Sequence, residues 1–274
     1  MSVNQVNIDL LKRTYFYFDK PVPYTIKDKT IFIKPVSVEN SEIFLSSFDI
    51  LSIDKNSLPD PKIIQMSYLQ FLVEYLLKEE ENVYRIVNIL NLCLGFEKPR
   101  IATDELGKYI ISDDIFKVEI NAKDFDNIRR IILYQNLIDY DDEYINPDLK
   151  KALDEANQLK MKNVEIPDLE RQMAIITAHC GLPKYEQLKM TYRSFKLLFK
   201  EIHGEVEYTT LFPVLCQTKN NTMEPWIFKK KKGKFDDGVI SVSDFNKSSG
   251  GNGEIQSLEL NSQNMDIPYI QKNN

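Results

Sequence analysis

The stretch YLQFLVEYLLKEEENVYRIVNILNLCLGFEKP, residues 68–99, decides the fold class. Tyr68, Phe71, Leu72, Tyr75 and Leu76 recur at helical spacing, while Glu74, Lys78, Glu79 and Glu80 take the other face, as an amphipathic helix requires. Val83, Ile86, Val87, Leu90 and Leu94 carry the pattern past the acidic break. Gly95 then suits a C-cap and Pro99 a stop, because proline lacks the N–H that a helix interior needs. Two successive helices are predicted.

Upstream, residues 15–36 change character. Tyr15 to Phe18, then Pro21 and Pro23, then Thr30 to Val36 alternate aromatic and β-branched residues with turn formers, which reads as two or three short strands. Asp19-Lys20-Pro21 and Lys27-Asp28-Lys29 supply the breaks. Downstream, Phe125, Ile128, Ile131 and Ile132 form a third helical stretch with Asp124 as its N-cap, ending near Asn136. An acidic loop, Asp139 to Tyr144, leads into a charged helix over residues 147–160. Pro167-Asp168-Leu169-Glu170 starts a further helix that Gly181 and Pro183 close. Leu188, Tyr192, Phe195, Phe199 and Ile202 then make one aromatic stripe, and residues 205–212 after Gly204 read either as a strand or as a helix continuing the stripe, with Val206, Tyr208, Thr209 and Thr210 leaning weakly to extended backbone. The fold class expected is mainly α (α+β): a β-rich module over 1–60, a helical bundle over 61–228 and a disordered tail rich in Lys, Ser, Gly and Asn over 229–274.

Composition narrows the function. With 43% hydrophobic and 28% charged residues over 274, the chain is long enough for a substantial core. Its 41 acidic against 35 basic residues provide no general cationic field for nucleic acid or anionic lipid. Cys93, Cys180 and Cys216, an odd number set among apolar neighbours, read as reduced core thiols, and with only His179 and His203 a structural zinc site has too few ligands. No run of about 18 uncharged residues is present for a membrane span.

Motifs for catalysis are thin. Hard cations want several carboxylates around one point, so Asp139, Asp141, Asp142 and Glu143 are the natural metal-dependent candidate. The EF-hand register fails there, since Tyr144 stands where a glycine must turn and Lys150 where a bidentate glutamate must bind. His179 and Cys180 are adjacent, and neighbours on a helix point about 100° apart, so they are not a base and nucleophile pair. Glycine-rich phosphate loops, the Gly-x-Ser-x-Gly elbow and His-Glu-x-x-His are absent from the sequence. No catalytic residue, metal ligand or cofactor is therefore assigned. The lysines Lys229, Lys230, Lys231 and Lys232 read as a solubilising tail junction; they lack interleaved aromatics for base stacking beyond the flanking Trp226, Phe228 and Phe235. Consecutive lysine codons are also adenine runs, on which a reading frame can slip.

Four segments carry a resemblance: Tyr17 to Val22, Asp60 to Leu69, Phe125 to Asn136 and Met190 to Phe195. Across residues 15–228 their layout resembles a loose group of tailed-phage morphogenesis proteins from Gram-positive hosts. The resemblance implies a tail assembly chaperone in the host cytoplasm, which binds the long helical tape-measure protein until tail-tube subunits polymerise around it. It also implies products of two lengths made by frameshifting, with the lysine run at the join. On that basis Tyr192, Phe195 and Phe199 are expected to line an apolar groove, rimmed by acidic residues, for a partner helix. Phage structural proteins are the expected partners, with neither nucleic acid nor membrane among them, and self-association is left open. The alternatives are a structural virion component, such as a connector or baseplate subunit, and a metal-dependent enzyme built on the 139–143 loop.

Overall fold

The computed structural model describes residues 6–55, 58, 60–142, 166–217, 226 and 227, together with 151, 152, 155, 158, 159 and 162. The expected tail over 229–274, the junction lysines Lys229 to Lys232 and most of the charged helix over 147–160 lie outside the described residues. The described chain is mainly helical, with antiparallel sheets of two and three strands. No helix among the described residues is long and apolar enough to cross a membrane.

The chain opens on α1 (Ile8–Thr14), capped by the Asn7 side chain, which accepts from Leu10 N–H. The aromatic run after it is a 3-10 turn, Phe16–Phe18, and not the first strand. Phe18 and Lys20 N–H both bond to the Tyr15 carbonyl and Asp19 N–H to the Phe16 carbonyl, so these donors are used within the turn and not in a ladder. Phe16 alone of the three enters the core, and Asp19 turns the chain in the left-handed region at φ 55°. The hairpin β1 (Val22–Ile26) and β2 (Lys29–Ile33) follows, in the register Val22 to Ile33 through Ile26 to Lys29. Val22, Ile26, Ile31 and Ile33 face inward.

The short helices α2 (Ser41–Ser47), α3 (Asp49–Ser52), α4 (Pro61–Gln65) and α5 (Tyr68–Phe71) come next. Helix α5 runs into a π turn, Leu72–Leu76, where Leu77 N–H reaches back to Leu72 O, and α6 (Glu80–Leu94) begins after it. The expected pair of helices is therefore present with a wider turn inside the first. Gly95 ends α6 at φ 74°, the left-handed C-cap that only glycine adopts without strain.

Pro99 does not simply stop the helix. It opens β3 (Pro99–Thr103), which pairs with β4 (Tyr109–Asp113), which in turn pairs with β5 (Val118–Ile120). The sequence reading places no sheet here. Strand β3 is a sheet edge exposed along most of its length, so it shows no alternation, and proline is tolerated at the start of an edge strand.

Helix α7 (Ala122–Asn136) lies at the centre. Its N-cap is Asn121 rather than Asp124: Asn121 Oδ1 accepts from Asp124 N–H, and the Asp124 carboxylate accepts in return from Asn121 Nδ2 at 2.7 Å. Every residue from Ile131 to Asn136 is buried. One apolar cluster extends from Ile8 to Tyr134, so the hairpin and the helices after residue 60 share a core and do not pack as separate modules. Cys93 is part of it, and burial pushes its thiol up to about 12. Cys180 and Cys216 are exposed, against the expectation of three core thiols.

The end of α7 ties distant segments together. Asn136 is fully buried; its Oδ1 accepts from Val36 N–H at 2.7 Å and its Nδ2 donates to Ile132 O at 2.8 Å. Gln135 Nε2 donates to Lys20 O at 3.2 Å. Three further helices, α8 (Leu169–Cys180), α9 (Lys184–Lys189) and α10 (Tyr192–Leu215), build a second, smaller core from Met173, Ile176, Phe195 and Ile202, with Val38 contributed by the first part of the chain. Backbone bonds from Val38 N–H to Met190 O and from Tyr192 N–H to Val36 O stitch the two together.

Asn136→Ala should cost about 1–3 kcal/mol in urea unfolding, because Val36 N–H is left buried without its acceptor. Unchanged stability would show that Val36 finds another acceptor.

Candidate polypeptide-binding surface

Helix α10 positions every residue that sequence reasoning assigned to a binding groove. It starts at a doubly supported cap: Thr191 Oγ1 accepts from Ser194 N–H at 3.2 Å, and the Asp19 carboxylate accepts from both Thr191 Oγ1 and Ser194 Oγ. A carboxylate at a helix N-terminus is favoured by the exposed N–H groups and the helix dipole. One residue on, Arg193 NH1 donates to the Tyr134 carbonyl at 3.0 Å, satisfying one of the acceptors that the last turn of α7 leaves free. Burial pushes the Arg193 guanidinium down, and Asp19 and Asp139 oppose that push.

The structure separates the three assigned residues. Phe195 is fully buried and Tyr192 is 9% exposed, while Phe199 is half-buried against the small core. They form no common groove: α8 and Val38 already occupy the face that Phe195 and Phe199 present, while Tyr192 lies outside that cluster. Leu188, expected on the same stripe, belongs to α9.

Beside Tyr192 there is instead a shallow open trough of about 300 Å³, lined by Leu137, Ile138, Asp139, Tyr140, Tyr192 and Lys196. Part of the acidic loop forms one wall. Tyr140 packs edge-on against Tyr134 with ring centres 4.9 Å apart. Lys200 Nζ pairs with Asp139 at 3.1 Å. Lys196 donates to Gln172 Oε1 at 3.1 Å, and burial lowers the pKa of its ammonium group.

The carboxylates proposed for a metal are engaged by other partners. Asp142 accepts from Arg130 through both oxygens and from the Tyr134 hydroxyl at 2.6 Å, while its own N–H donates to that hydroxyl at 3.1 Å. Burial alone would raise the Asp142 carboxyl; the bonds from Arg130 and Tyr134 outweigh it and hold the group below its ordinary 3.8. Asp139 pairs with Lys200. Among the described residues no three His, Cys, Asp or Glu side chains converge as a metal site. Glu143 lies outside the described residues. His179 Nε2 sits 3.1 Å from Glu205 Oε2, so its ring is directed at α10.

The second half of α10 takes the helical one of the two readings that the sequence leaves open for residues 205–212. Residues 205–212 are helical, continuing without a break through Gly204. Thr209 and Thr210 hydroxyls bond back to the Glu205 and Val206 carbonyls at 2.8 and 2.7 Å, which lets these β-branched residues sit in a helix with their polar groups satisfied. The stripe Phe195, Phe199, Ile202 continues at the same three- and four-residue spacing to Val206 and, beyond Thr210, to Val214. Val206 is 45% exposed and Val214 61%. The stripe is thus core in the first half of the helix and surface in the second. The spacing was visible in the sequence; the point at which α8 stops covering it was not.

Comparison of the chain with protein-family models, curated proteins and solved structures finds no match.

Because its carboxyl is held below the ordinary value, Asp142 contributes stability that is present above the unfolded value of 3.8 and lost as pH falls through the folded one. Asp142→Asn should lower the melting temperature by a few degrees at pH 7, and the gap to the unmodified chain should close below about pH 4 in a thermal melt series. A gap that persists at low pH would contradict the ion-pair account.

Proposed function

We propose that this chain is a non-catalytic polypeptide-binding protein of tailed-phage tail assembly, working in the host cytoplasm. It would hold a helical segment of the tape-measure protein, and through it meet tail-tube subunits, until the tube polymerises. The observation that carries this reading is the change of the α10 stripe from core to surface at Val206. Amphipathic partner helices dock by laying apolar residues at three- and four-residue spacing into a complementary apolar strip. The exposed half of α10 offers such a strip, flanked by Glu205 and Glu207. Individually weak contacts of this kind add up when repeated along a long partner.

Pairing of Asp139 and Asp142 with Lys200 and Arg130 weighs against the metal-dependent alternative, since a cation would have to displace those partners. The trough beside Tyr192 and Tyr140, with Asp139 on its wall, offers a separate small surface near the start of α10 that is compatible with this reading.

The test is co-purification of the chain with its tape-measure protein at micromolar concentration. Val206→Glu with Val214→Glu should abolish the complex and leave the fold intact, because both side chains are exposed. A complex that survives the double change would overturn the assignment to α10. Mass spectrometry of purified particles should find the chain absent; its presence at structural copy number would favour the virion-component alternative.

A further inference from the structure

Gly204 is the one residue in α10 whose surroundings do not follow from the cores already described. It is buried, yet it lies two residues from Ile202, about 160° around the helix from the face that packs on α8. What covers it is Trp226. A Cβ added at Gly204 would stand 2.7 Å from Trp226 Cδ1, and the three heavy atoms nearest that position all belong to the indole. Trp226 Nε1 donates to Glu201 Oε2 at 3.2 Å, and the indole lies 6.3 Å from the Tyr208 ring, which is itself stacked on Phe212 at 4.8 Å. Glu201, Gly204 and Tyr208 are at i, i+3 and i+7, one continuous face of the helix.

A glycine inside a helix weakens it relative to alanine, and nothing in the backbone asks for one here, since Gly204 is not among the positive-φ glycines. The absence of a side chain is explained by the seat it makes for an indole. We propose that Glu201, Gly204 and Tyr208 form a second docking face on α10, opposite the exposed stripe, and that its occupant is Trp226 of the same chain, folded back as an intramolecular latch. The latch keeps the largest aromatic side chain of the sequence off the exposed stripe. It is independent of the binding reading, which concerns the other side of the helix.

The sequence contains one tryptophan, so intrinsic fluorescence of the full-length chain reports the latch without a label. The native chain should emit at shorter wavelength than the urea-unfolded chain and resist acrylamide quenching. Gly204→Ala should move the emission to the red and increase quenching severalfold while the far-ultraviolet circular dichroism stays helical. The melting temperature supplies a sign test. In a Trp226→Ala background Gly204→Ala should raise it, because alanine is the better helix former and the seat is empty. With Trp226 present the same change should give no gain or a loss. Equal gains in both backgrounds, or native emission and quenching unaltered by Gly204→Ala, would overturn the proposal.

Discussion

The last turn of α7 carries the hydrogen bonds on which the arrangement of the rest depends. Tyr134, Gln135 and Asn136 are consecutive, buried and polar, and each is bonded to a part of the chain remote in sequence. Tyr134 O takes Arg193 of α10, Gln135 takes the Lys20 carbonyl before the hairpin, and Asn136 takes Val36 N–H after it. Buried polar groups of this kind contribute little net stability when satisfied and cost a great deal when orphaned, so they select one arrangement among several that would bury similar apolar area. The Tyr134 hydroxyl extends the same tie to the acidic loop through Asp142.

This explains why α10 can serve as a surface element without being loose. Its first turn is held by Asp19, Arg193 and the strand-like bonds between residues 36–38 and 190–192. Its middle is held by Phe195 and Ile202 against α8. At about 1.5 Å per residue its 24 residues extend roughly 36 Å, considerably further than the 12-residue α8 can cover. The apolar strip beyond Ile202 is therefore displayed on a rod anchored at one end. Such a surface lets a partner dock without first ordering the site, which limits the entropic cost of association.

What could be read in advance was what is encoded locally. The helix start near residue 168 and its close at Gly181, the C-cap at Gly95, the two turns at Asp19 and Lys27 and the helical period of residues 83–94 all come from side chains acting within a turn of themselves. The three strands from Pro99 to Ile120 were hidden because β3 is an edge with no buried face to impose alternation, and β5 has three residues. The strand-like composition after Gly204 leaned the other way because propensity ignores that threonine hydroxyls can be satisfied within a helix and that this segment is continuous with a packed first half. The groove at Tyr192, Phe195 and Phe199 misled for a different reason. Periodicity identifies an apolar face but does not say whether the chain itself covers it, and here α8 does so as far as Ile202 and no further.

Hydrogen exchange along α10 probes the central claim, that this helix is anchored by the core in its first half and open to a partner in its second. Free in solution, amides of residues 206–215 should exchange faster than those of residues 196–204, and adding the proposed partner, a tape-measure protein, should slow the faster set selectively. Uniform protection along the free helix, or protection by the partner that falls elsewhere on the chain, would contradict the account.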